Sequence, residues 1–160
     1  MAIVELSFSS GASSLSVRSF SVQESISGMF SARLVARSPN DDIDLETIVG
    51  RPALFRIVSG VVWAHLDARV WTGVVSEMEQ TRVEPSGLST YELTIVPYLW
   101  LLTQRQNYRL FQHQSVPDIV NKVLEEWRVR HELRLEVERY AKLELRIQYG
   151  ESDFAFVSRL

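Results

Sequence analysis

The chain has no cysteine in its 160 residues, which excludes disulfides, thiolate metal sites and cysteine nucleophiles together. It has no apolar run near the roughly 18–20 residues of a membrane-crossing helix. Its first stretch, MAIVELSFSSGASSL, lacks both a basic head and a continuous apolar segment, so no cleaved secretory signal is expected. The seven glycines are scattered, and none builds a phosphate-cradling loop. Cationic excess is missing as well: 17 Lys and Arg against 20 Asp and Glu leave a net charge of -3. A nucleic-acid surface normally shows the opposite balance.

What remains is an ordinary globular composition, 46% hydrophobic and 23% charged, long enough for one real core and the beginning of a second. The first half reads as strands. IVELSFSS and SFSVQESIS alternate apolar and polar residues, and MFSARLVARS is rich in β-formers up to the Ser38-Pro39-Asn40 turn. DLETIVG predicts a short helix capped by Asp44 and ended at Gly50 in a left-handed conformation. RPALFRIV returns to strand, followed by a β-rich stretch over 63–83. A turn at Glu84-Pro85-Ser86-Gly87 joins it to LSTYELTIV, where Tyr91, Leu93 and Ile95 share one face and Thr90, Glu92 and Thr94 the other. These two strands read as an antiparallel hairpin.

Helices come later. PYLWLL predicts a buried helical turn. SVPDIVNKVLEEW is amphipathic: Ser115 and Asp118 form a capping-box pair, and Pro117 sits harmlessly in the first turn. Val116, Ile119, Val120, Val123, Leu124 and Trp127 fall on one face, with Asp118, Asn121, Lys122, Glu125 and Glu126 opposite. Burial of the six contributes on the order of 10 kcal/mol before the cost of ordering them. Near the end, Ser152 and Asp153 read as a helix start, with Phe154, Val157 and Leu160 as its apolar stripe, interrupted in mid-pattern. The expected organisation is one domain over residues 1–150, with 151–160 beginning the next.

No catalytic, cofactor or metal set emerges. The acidic run Asn40–Glu46 has no internal glycine and is interrupted by Ile43 and Leu45, unlike a calcium loop; capping explains it more simply. His65, His113 and His131 lie far apart without metal-ligand spacing. Glu77/Glu79 and Glu125/Glu126 read as solvated faces of a strand and a helix rather than acid/base pairs. Arg105 and Arg109 interleave with Tyr108 and Phe111 as in single-strand binders, yet the net negative charge favours strand-edge or interface residues, and both arginines are kept as interface candidates.

Three segments carry a resemblance. WTGVVSEMEQ (71–80) comes first, then YELTIVPYLWLLTQRQNYRLFQHQSVPDIVNKVLEE, then LRIQYGESDFAFVSRL (145–160). In this order and spacing they resemble the N-terminal part of VgrG proteins, the spikes of the bacterial type VI secretion system, and FSARLVARSPNDDIDLETIVGRPALFRI fits the family's opening barrel. Gly150 and Ala155 depart from it, standing where polar residues are expected. The WAHLDARVW segment does not align.

The resemblance implies an α+β, mainly β fold: a tail-hub-like β-barrel with a docked amphipathic helix and the start of a second domain. In that picture Tyr98–Leu102 plug the barrel and Val116–Trp127 close over it. It implies a non-enzymatic part of a contractile injection apparatus. Three copies would form a trimeric base joining a hexameric inner tube, with its baseplate proteins, to a puncturing needle. It implies assembly in the bacterial cytoplasm and export without a signal peptide, with no nucleic acid and no cofactor. A phage or prophage baseplate hub, the entry domain of a cell-wall hydrolase, and a carbohydrate- or oligonucleotide-binding barrel are the other readings.

Overall fold

The computed structural model describes residues 3–11, 14–59, 67–83 and 87–160. His65, residues 63–66 of the irregular segment and the Pro85-Ser86 turn lie outside them. The chain divides into two compact units, Met1–Tyr98 and Leu99–Leu160. The division thus falls after Tyr98, not after residue 150. Residues beyond 150 stay with those before them because a strand runs through the expected boundary and the final helix packs into the same core.

The first unit is a six-stranded antiparallel sheet of β1 (Ile3–Phe8), β2 (Ser16–Gln23), β3 (Ser31–Ser38), β4 (Pro52–Ser59), β5 (Asp67–Val83) and β6 (Ser89–Val96), in the order β1-β4-β5-β6-β3-β2. β2 and β4 stand four places apart, about 19 Å in a flat sheet at about 4.8 Å per strand. Yet Phe20 of β2 and Phe55 of β4 have ring centroids 5.3 Å apart. Glu24, just past β2, likewise accepts from Trp71 Nε1 of β5 at 2.9 Å and pairs with Arg69. The sheet therefore curls into a half-barrel, with β1 and β2 the outermost strands in its order.

Period-two alternation places Leu34, Phe55, Trp71, Val75, Tyr91, Leu93 and Ile95 inside. β5 keeps this order over 17 residues only by inserting extra ones. Register shifts between Val75 and Glu77 and between Gln80 and Arg82 flip the parity, so Met78 turns inward while Glu77 and Glu79 face out. Asp44 caps a single 3₁₀ turn, Leu45–Thr47, and Gly50 takes φ +73°. Backbone bonds Gly50 N–H to Val75 O (2.8 Å) and Val75 N–H to Arg51 O (3.1 Å) stitch this loop to β5. The buried Tyr91 hydroxyl donates to Asn40 O at 2.9 Å, and Gln80 Nε2 donates to Asp41 O at 2.9 Å. The acidic run is thereby held as a capping loop.

The second unit contains β7 (Gln106–Gln114), α1 (Val116–Glu126), a 3₁₀ turn Val137–Arg139, β8 (Leu143–Ser152) and α2 (Asp153–Arg159). β7 and β8 form an antiparallel ribbon. Its core is Leu102, Phe111, Ile119, Val123, Leu124 and Phe156. PYLWLL does form a 3₁₀ helix, Tyr98–Thr103, and its buried Leu102 and the apolar face of α1 join this second core. In α2 the fully buried residue is Phe156, stacked on Phe111 at 5.4 Å; Phe154, Val157 and Leu160 are only partly buried.

α1 has the reciprocal capping box: Ser115 Oγ accepts from Asp118 N–H, and Asp118 Oδ2 accepts from Ser115 N–H. Its other end is a Schellman motif, with Val129 N–H donating to Leu124 O at 3.0 Å and Arg128 N–H to Glu125 O at 2.9 Å. The left-handed position belongs to Arg128, φ +54°, where glycine is normal. Arg128→Gly is expected to stabilise the chain by about 0.5–1 kcal/mol, measured as a raised urea midpoint with unchanged slope.

Candidate functional site

Three charged groups of the second unit, Arg105, Arg109 and Glu126, gather around one buried carboxylate. β7 inverts the usual polarity: Asn107, Arg109 and Phe111 face the helices, while Tyr108 and Leu110 face out. β8 supplies Gln148 to the inner face and Ile147 and Tyr149 to the outer. A bulge keeps the strands in step, since Asn107 opposes Glu151 while Tyr108 opposes Tyr149. The extra residue is Gly150, φ +61°, where an added Cβ would lie 2.8 Å from the Tyr108 hydroxyl. That geometry accounts for glycine at a position where the family resemblance leads one to expect a polar side chain.

Asp153, the first residue of α2, is completely buried. Its Oδ2 accepts from Arg105 Nε at 2.9 Å and Trp127 Nε1 at 2.8 Å. Its Oδ1 accepts from Arg109 at 2.6 Å, Asn107 Nδ2 at 2.8 Å and Gln148 Nε2 at 2.9 Å. Glu126 Oε2 bridges the same two guanidiniums, at 2.7 Å to Arg105 and 2.8 Å to Arg109. Arg109 Nε donates to Gln148 Oε1 at 2.8 Å, and Arg105 lies 4.8 Å over the Trp127 ring. Two cations meet two anions, and the cluster is neutral. Beside it, Ser152 caps α2 through Ala155 N–H, and Glu151 pairs with Arg159.

Burial alone would raise the Asp153 carboxyl. The hydrogen bonds from Gln148, Asn107, Trp127 and Arg105 outweigh it and bring the pKa down to about 2. For Arg105, desolvation is likewise outweighed, by its bonds to Asp153 and Glu126, and its pKa is raised. Glu151 is lowered by the hydrogen bond from Arg159. A carboxylate so ionised and so fully engaged serves as a structural hub; a general acid needs its pKa near the working pH.

Both interface candidates therefore sit in this cluster. Glu126, expected on a solvated helix face, belongs to it too. Glu77 and Glu79 are exposed on β5 as expected. His113 is exposed, as is His131, which contacts Asn121 and the Val129 carbonyl. Among the described residues no group of three or more His, Asp or Glu converges as a metal site. The sequence did carry one clue to Asn107 and Gln148: β8 and the start of β7 alternate polar and apolar residues, but which face is buried was not legible. The outer face keeps Tyr108 and Tyr149 72% and 79% exposed, with Leu110, Leu145 and Ile147 also exposed.

A curled antiparallel half-barrel followed by a ribbon-and-helix unit is a tail-hub type of structure. The chain superposes on an E. coli protein, c3393, with TM-score 0.78 and 27% identity, covering 98% of this chain and 42% of that one. That protein is described as a component of the type VI secretion system with structural similarity to the T4 bacteriophage tail proteins gp27 and gp5. The same fold recurs at 9% identity and TM-score 0.70 in a Francisella PdpA–VgrG complex, covering 99% of this chain and 27% of that one. The family model of the phage tail baseplate hub (GPD) matches residues 23–160, and the chain belongs to that family. Two Pseudomonas aeruginosa type VI secretion spike proteins are similar in sequence. VgrG4b is 36% identical over 148 residues, and VgrG1b is 31% identical over 151. These cover 91% and 94% of this chain but only 17% and 20% of the relatives, so the chain spans about a fifth of their length.

Proposed function

We propose that this chain is the hub part of a type VI secretion spike, a non-enzymatic scaffold that trimerises in the whole protein and joins an inner tube to a needle. The observation that carries the reading is the family match over 23–160 together with the 36% identity to a spike protein. The apolar outer face of β7 and β8 adds support, since such stripes are usual on parts that work in an assembly. Hexameric tube and baseplate proteins are the partners in this reading, assembly is cytoplasmic, and export needs no N-terminal signal. A contact role for Arg105 and Arg109 belongs to the same proposal. Arg105, with 41% of its side chain exposed, is the better placed of the two.

A baseplate hub of a phage or prophage is the second reading, supported by the hub family itself. The test is the native mass of the full-length protein by light scattering on a sizing column. A trimer is expected; a stable monomer of the full-length protein would overturn the hub reading.

A further inference from the structure

The ribbon of the second unit has its open end where its two strands begin and finish. β7 starts at Gln106 and β8 stops at Ser152, and these two residues oppose each other as the last rung of the ladder. One residue further out, Asp153 N–H donates to Arg105 O at 3.1 Å. At the same point the Arg105 guanidinium holds the Asp153 carboxylate at 2.8 and 2.9 Å.

An antiparallel ladder pulled apart from its open end behaves as a zipper. Its hydrogen bonds run perpendicular to the strands, so tension reaches them one after another rather than all at once. Such a ribbon resists only as well as its first rung. We propose that Arg105 and Asp153 are a mechanical clamp that keeps the second unit closed when tension passes along the chain.

The surrounding groups suit that task. The carboxylate is tied to β7 through Asn107 and Arg109, to β8 through Gln148, and to the end of α1 through Trp127. Moving Asp153 outward therefore breaks bonds to three elements together, in a place where its own side chain meets no water. Load from the N-terminal side first strips the short 3₁₀ helix Tyr98–Thr103. Load from the other side strips α2, held by the buried Phe156 and by Arg159 to Glu151 and to the Ile147 carbonyl. Both arrive at the clamp before the ladder opens. The geometry stands by itself; only its use in a force-bearing spike rests on the hub reading.

Single-molecule stretching of the whole chain tests it, with handles on terminal cysteines introduced into a sequence that has none. The second unit is recognised by the shorter length it releases. Forced unfolding reports the unfolding barrier rather than equilibrium stability. Arg105→Gln is expected to lower the second unit's rupture force by roughly half or more, beyond what its urea midpoint accounts for. Val123→Ala, in the same core but away from the rung, is expected to lower the midpoint with little loss of force. Handles at Gln114 and Leu143 load the opposite end, and there Arg105→Gln is expected to have no effect. Loss of force in proportion to the midpoint in both variants, or from both ends, overturns the clamp. Should Arg105→Gln not fold, Arg105→Lys keeps the charge without the fork and is expected to show the same end-dependence in smaller measure. None of these results depends on whether the whole protein is a trimer.

Discussion

Replacing Asp153 by alanine is expected to destabilise the second unit by about 3–5 kcal/mol, the usual cost of removing one partner of a buried ion pair. The loss is large because the variant leaves more than a vacancy. Arg105 and Arg109 keep only Glu126 as an anion, and the Asn107, Gln148 and Trp127 N–H groups that donated to the carboxylate lose their acceptor. A domain with a total stability of 5–15 kcal/mol loses a substantial fraction of it. Amide exchange is the discriminating measurement, since it reports units separately. β7 and β8 amides should exchange much faster in Asp153→Ala, while those of β3 and β6 keep their protection. Uniform loss in both units would show that the cluster does not act locally.

The same carboxylate sets an acid limit. Its folded pKa, about 2, lies below the ordinary 3.8, so the folded state binds its proton less readily than the unfolded state does. A depressed carboxylate contributes stability that is complete above the unfolded value and is lost as pH falls toward the folded one. The difference corresponds to about 2.5 kcal/mol, present at pH 5 and above and withdrawn between about pH 4 and pH 2. Asp153→Asn cannot titrate. Its urea midpoint is expected to start lower at neutral pH and to fall less over that window, so the two profiles converge in acid. Parallel profiles would mean that the buried carboxylate is not the group responsible.

Legibility differed between the units for a physical reason. In the half-barrel, one face of each strand is buried against the core, so the alternation in β6 and β3 reports burial directly. Tyr91, Leu93 and Ile95 were legible on that basis. The ribbon breaks the rule, because its inner face carries Asn107, Arg109 and Gln148 and its outer face carries tyrosines and leucines. Polar groups can be buried there because they pair across the closed ribbon, Asn107 and Arg109 of β7 with Asp153 and Gln148 at separations of 39 to 46 residues, and no local pattern announces such partners. The signature residues Gln148, Ser152 and Asp153 were visible as a resemblance, but their reason, a hub carboxylate beside a helix cap, needs the ribbon closed. Helix starts were legible at Ser115 and Asp44. The stop of α1 was not, since Arg128 occupies a position where glycine would have signalled it. The extra residues in β5 were equally silent, and only pairing with β6 exposes them.

Gly73→Ala is expected to be the most damaging single-methyl change in the first unit. Gly73 lies on β5 between Trp71 and Val75 and opposes Ala53 of β4. β6 ends beside it, with Val96 paired to Val74, and the chain then leaves the sheet across the glycine. A Cβ built there would stand 1.8 Å from the Val96 carbonyl oxygen, 2.7 Å from its carbon and 3.1 Å from Pro97 Cα. Every one of these neighbours is backbone, and Pro97 fixes its own φ and restricts Val96, so relief requires parting β5 from β6 where the loop at Gly50–Arg51 is also stitched to Val75. Overpacking usually costs 1–3 kcal/mol and more where the backbone must move; about 3–4 kcal/mol is expected here, read from the urea midpoint of the first unit. Gly11→Ala is the matched comparison. Gly11 has φ +78° but open space around it, so its penalty is conformational, about 1–2 kcal/mol. Equal losses at the two positions would mean that β6 does not pass over Gly73 as closely as described. A clear excess at Gly73 would mark that glycine, within the Trp71–Gln80 segment, as a requirement of close strand passage rather than of turn geometry.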